Sequence, residues 1–83
     1  MTNEQIEKFL HEKYLDKTPV KVSFKTRSAV VGIFIKTNDY PELKSKNFWR
    51  IVNESNIERY QKSKDMNLAR IFHGSEFTRL STP

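Results

Sequence analysis

Two histidines, His11 and His73, are the side chains here best placed to move protons near neutral pH. They stand in unlike settings. His11 lies in the charged opening "MTNEQIEKFLHEKYLD", on the polar side of an amphipathic pattern. His73 lies in "ARIFHGSEFTRLS", where a His-Gly pair interrupts an alternating apolar run. Catalysis would need partners at set spacings, and the chain offers none. "HGSE" is not the G-x-S-x-G elbow of a nucleophilic serine. Gly32 and Gly74 are the only glycines, so there is no glycine-rich phosphate loop. There is no cysteine and no spaced His/carboxylate set for a metal. The chain reads as a non-enzyme without a cofactor. His73-Gly74 is then either a recognition loop held by strands or a plain turn joining them.

Charge points to the partner. The 15 Lys and Arg exceed the 10 Asp and Glu, for a net +5. Residues 1–16 carry −2, whereas residues 17–83 set 13 basic against 6 acidic side chains, for +7. A basic body favours polyanions. The plainer reading is a solvated surface that keeps a small protein soluble. The opening is too charged for a signal peptide, and no apolar run approaches the roughly 18 residues of a membrane span. The expectation is a soluble cytoplasmic protein with no membrane partner. At 83 residues it is one domain, 1–83. A chain this short without cysteine has few ways to staple itself, and oligomerisation is a common remedy.

The elements that would hold these groups follow from periodicity. Thr2 and Gln5 form a capping-box pair. Ile6, Phe9, Leu10 and Tyr14 lie on one face of a helix over 2–16, which must stop before Pro19. The period then becomes two. "VKVSF" alternates Val20, Val22 and Phe24 inward with Lys21 and Ser23 outward. "AVVGIFIK" is apolar on both faces, which marks a central or strongly bent strand, with Gly32 at the bend. "TNDYPELKSKN" reads as a polar loop and "FWRIV" as the third strand. "IERYQKS", "LARIF" and "EFTRLS" complete the set, divided by "NESN", "KDMN" and the His-Gly pair. The fold class is therefore mainly β with an N-terminal α-helix. Residues 19–81 are expected to form a small, strongly bent, antiparallel barrel of five to six strands, closed to remove its edges.

"VKVSFKTRSAVVGIF" resembles the first Sm motif of Sm-like proteins, which include the bacterial Hfq group. Val20, Val22, Phe24, Gly32 and Phe34 fall at matching spacing. Phe72, His73 and Gly74, with Phe77 and Leu80 after them, resemble the second Sm motif. The chain departs from the pattern at Arg27, where a turn glycine is usual, in the length of the loop after the second strand, and at His73, where the family has arginine. The resemblance implies a ring-forming homo-oligomer that binds single-stranded RNA where two loops meet. It places Asn38, Asp39, Tyr40 and Asn47 in one loop and His73-Gly74 in the other. Tyr40 would stack a base and Asn47 would read a base edge. His73 would stack or donate. Lys36, Lys44 and Lys46 would meet phosphates, and Gly74 would let backbone approach the ligand.

Each of these residues also has a simpler use. Tyr40-Pro41 can cover a core edge, and His73 can be an ordinary hydrogen-bonded residue at a strand end. Gly74 can supply the positive φ of a tight turn. Lys44 and Lys46 can be solvated loop charges, and Trp49 a core or subunit contact. The alternative function is a protein-interaction module in which Tyr40 and Trp49 line a groove for proline-rich helices. A Trp49 that is buried, with His73 near the Tyr40 segment, would favour nucleic acid. An exposed Tyr40–Trp49 pair would favour the groove.

Overall fold

The computed structural model describes residues 1–11 and 13–83. Its elements run α1 (Asn3–Leu10), β1 (Val20–Phe24), β2 (Val30–Phe34), α2 (Tyr40–Ser45), β3 (Phe48–Asn53), α3 (Ile57–Ser63), β4 (Ala69–His73) and β5 (Phe77–Ser81). Short 3-10 turns at Glu54–Asn56, Met66–Leu68 and Gly74–Glu76 join the later ones. The strands form one antiparallel sheet in the order β4-β3-β2-β1-β5.

The sheet buries apolar side chains on both faces, which explains the run "AVVGIFIK". On the inner face, Val20, Val22, Phe24, Phe34, Trp49, Ile51, Phe77 and Leu80 meet Ile6 and Leu10 of α1. On the outer face, Ile33, Ile35 and Val52 lie under Tyr60 of α3. β2 is central, between β1 and β3, and so needs apolar residues at both parities. Gly32 lies in the middle of the sheet, opposite Val20 of β1 and Asn53 of β3. A Cβ there would overlap the Val52 carbonyl.

The sheet is strongly curled. Phe24 of β1 and Phe72 of β4 have ring centroids 5.5 Å apart. Those strands are three places apart in the sheet, about 14 Å if it were flat. The expected barrel nevertheless does not close. β4 and β5 remain edges with no ladder between them, joined by the Gly74–Glu76 turn, where the Met1 ammonium donates to the Gly74 and Phe77 carbonyls. Ile6 of α1 reaches Gly74 at that seam, so a helix side chain covers part of what a closing ladder would have covered.

Three element boundaries differ from the sequence reading. The helix expected over 2–16 ends at Leu10, with His11 at φ 40° as its cap. A straight continuation would place Leu15 about 140° around the axis from Leu10, on the wet side. The chain turns instead, which buries Leu15 and leaves Tyr14 stacked on Phe9 at 5.0 Å. The polar loop "TNDYPELKSKN" contains α2, which begins with Pro41 in its first turn, a position that needs no N–H donor. "IERYQKS" is not a strand but α3. Its Ile57 and Tyr60, three apart, face the sheet, and Glu58 pairs with Lys62 across one turn at 3.1 Å. Residues 57–72 therefore do not form a separate hairpin.

The last strand holds one further irregularity. Phe77 and Leu80 are both buried although three residues apart, which strict alternation forbids. A bulge resolves it: Ser23 faces Arg79 while Phe24 faces Phe77, so Thr78 is the extra residue.

Candidate nucleic-acid interface

The residues singled out from the sequence divide into a cleft and a clasp. Lys36, Tyr40 and Lys44 lie together in a cleft of about 440 Å³ between α1 and α2. Tyr40 is half-buried, its ring edge-on to Trp49 at 6.0 Å. The ammonium groups of Lys36 and Lys44 stand 5.8 and 5.5 Å from its centroid. Burial first, and the Glu7 carboxylate second, push the Tyr40 phenol up to about 12. The cleft is not purely basic. Glu4 and Glu7 line it too, and Lys44 is ion-paired with Glu7.

Lys46 pairs loosely with Glu42 at 3.8 Å, and both are exposed. Asn38 is exposed beside a shallow hollow shared with Asp39, Arg50 and Met66. Asp39 binds the Arg50 guanidinium at 2.6 Å and accepts from the Thr37 hydroxyl. Thr37 first and Arg50 second hold its carboxyl below the ordinary range. This pair anchors the start of α2 to β3.

The clasp joins Asn47 to the turn after β4. Asn47 adopts φ 63°, a left-handed conformation that asparagine tolerates better than most residues. Its side-chain carbonyl accepts from Trp49 Nε1 at 2.8 Å and its amide nitrogen donates to the Met1 carbonyl at 3.0 Å. Its backbone carbonyl accepts from the Gly74 N–H at 2.8 Å. The two segments expected to meet do meet, but the Asn47 amide is engaged at both ends inside the protein. Gly74 is needed for space rather than for turn geometry, because no glycine here has positive φ. A Cβ on Gly74 would overlap Asn47 Oδ1 and Ile6 Cδ1. His73 accepts from the Ser75 N–H at 3.1 Å through Nδ1, and Phe48 packs edge-on at 4.9 Å. It caps the turn as an ordinary hydrogen-bonded residue does. Trp49 is 2% exposed and belongs to the core.

A second cleft was not singled out from the sequence. It lies at the other end of the β3–β4 ladder, where Val52 pairs with Ala69, away from the Phe48–His73 end. Its volume is about 320 Å³, and Val30, Ile51, Leu68 and Phe72 give it an apolar lining. Arg27 and Arg70 line it, with Asn53, Ser55, Asn56 and Asn67 completing the rim, and no carboxylate does so among the described residues. The Arg27 guanidinium lies 5.1 Å from the Phe24 ring and 5.4 Å from the Phe72 ring. Parity in "LARIF" carries a signal for this site. Arg70 is in phase with Phe72, so it stands on the same face of the sheet, exposed at the mouth of this cleft.

Most cations of the chain are unpaired among the described residues. The ion pairs among the described residues join Lys44 to Glu7, Lys46 to Glu42, Arg50 to Asp39 and Lys62 to Glu58. Lys21, Lys25, Arg27, Arg70 and Arg79, on or beside β1, β4 and β5, form none. No group of three or more metal-ligating side chains occurs among the described residues, and none of their helices is long and apolar enough to cross a membrane. Comparison with family models, curated proteins and solved structures finds no match for the chain.

Proposed function

We propose that this protein binds single-stranded RNA as a non-enzymatic, Sm-like small β-protein. The observation that carries the reading is the unpaired positive charge of the sheet. Five cations on or beside β1, β4 and β5 lack a carboxylate partner among the described residues, as do Lys8 of α1 and Arg59 of α3. Cations without partners are available to phosphates, and their counterions are released when RNA binds. Two further features support the reading. An N-terminal helix leads into a strongly curled five-stranded antiparallel sheet, and the Asn47 segment meets the His73-Gly74 turn. The protein-groove alternative needs an exposed aromatic pair, and Trp49 is buried. Ring assembly is part of the proposal, since β4 and β5 are the outermost strands of the sheet and have no strand partner on their outer sides.

The test is a fluorescence titration with short oligo-U and oligo-A RNA at several salt concentrations, beside gel filtration. The expected result is binding at low salt that weakens steeply as salt rises, by a protein larger than one chain. A monomer that binds neither oligonucleotide at low salt overturns the proposal.

A further inference from the structure

The geometry points to the Arg27/Arg70 cleft as a site for a single nucleotide, its base against the apolar floor and its phosphate on arginine. The inference rests on the RNA reading above and names the place where that RNA would be gripped. The cleft's chemistry selects the ligand class. Two guanidinium groups with no carboxylate among the described lining residues favour an anion over a cation. The Val30, Ile51 and Phe72 floor favours a flat apolar body attached to that anion, which bare phosphate lacks. About 320 Å³ is of the order that a base with its sugar occupies.

The two arginines have different duties. Arg27 packs against Phe24 and Phe72 and still lines the cleft, so its planar group offers a preorganised stacking surface. Arg70 has no ion pair among the described residues and is the candidate phosphate contact. The rim supplies groups that can read a base edge. Asn53 spends its side-chain oxygen on the Ser55 N–H, which leaves its amide N–H pair for a ligand. Asn56 and Asn67 make no side-chain hydrogen bond among the described residues, so each keeps both donor and acceptor.

The test is an amide NMR titration of the intact protein with AMP, UMP and inorganic phosphate in parallel. The nucleotides are expected to shift the amides of Arg27, Asn53, Asn67 and Arg70, and phosphate alone to shift them far less. Arg27→Gln with Arg70→Gln is expected to weaken nucleotide binding about tenfold or more. A second variant, Asn67→Asp, brings a carboxylate to the rim and is expected to weaken it as well. Unshifted amides outside the cleft show that each variant is folded. The site is overturned if nucleotides leave the cleft amides unmoved, if phosphate moves them equally, or if the folded arginine double variant binds as before. Oligonucleotide binding that leaves the cleft untouched removes this site but keeps the RNA reading. Mononucleotide binding in the cleft by a protein that binds no oligonucleotide removes the RNA reading but keeps the site.

Discussion

The two ends of the β3–β4 ladder use polar groups in opposite ways. At the Phe48–His73 end, Asn47, Trp49, Gly74 and the start of the chain satisfy one another, and in the neighbouring cleft Glu4 and Glu7 stand among Lys8, Lys36 and Lys44, with Lys44 ion-paired to Glu7. At the Val52–Ala69 end, arginines and asparagines stand over an apolar floor with no carboxylate beside them among the described residues. The first arrangement builds stability. The second leaves interaction capacity unspent. Residue types that look functional in sequence are therefore structural at one end, while residues with no motif carry the available chemistry at the other.

The largest test of this contrast is Gly74→Ala. If the clasp is structural, the added methyl should cost about 3 kcal/mol, on the order of 15 °C in Tm, by thermal melting. An unchanged melting temperature would break the comparison at its stable end. Next is Asn47→Ala, which strands the Trp49 N–H and puts alanine at positive φ. It should cost about 2 kcal/mol in a denaturant titration. Lys21→Gln with Arg79→Gln should leave stability within about 0.5 kcal/mol but lower the salt slope of RNA binding by about 1.4, two phosphate contacts' worth. A slope equal to the parent's would mean that the sheet cations touch no phosphate.

Smaller effects sharpen the helical end. The Asp39 carboxyl is held below its ordinary value, so its contribution is complete above about pH 4 and is lost as pH falls through the folded value. The stability gap between the parent and Asp39→Asn should be constant near neutrality and narrow in acid. Tyr40 is raised to about 12, so it favours the folded state below about pH 10 and that contribution fades as pH rises toward 12. An ultraviolet titration should show late ionisation from Tyr40 and from Tyr60, which burial also raises, and Tyr40→Phe should remove the part near 12.

Much of the scaffold was legible because alternation is a strong signal when one face is buried. "VKVSF" and "FWRIV" are strands with the expected core residues, and Thr2 with Gln5 caps the helix as read. The failures have separate physical causes. α2 and α3 span 6 and 7 residues, too short to display a periodic stripe. In "IERYQKS" the three-residue step from Ile57 to Tyr60 and the Glu58–Lys62 spacing were the available clues. Ile71 of "LARIF" is 49% exposed on an edge strand because its parity opposes that of Phe72. Barrel closure depends on side-chain volume at the seam, which no local pattern encodes. Gly74 was read as a turn residue, but its demand comes from Asn47 and Ile6, which are distant in sequence.

The register that sets Val22 opposite Leu80 also governs how the chain reaches its fold. β1 is the first strand to be synthesised, and its outer neighbour β5 is the last. Strands β1 to β4 can assemble as successive antiparallel neighbours, yet Val20, Val22 and Phe24 still lack Phe77 and Leu80 beside them. A growing chain on the ribosome would keep the β5-side edge of that hydrophobic strand open until residue 81 is free, and long-range pairings of this kind slow the search. The protein should thus fold in one late, cooperative step, and a truncation that removes β5 should aggregate rather than persist as a smaller domain.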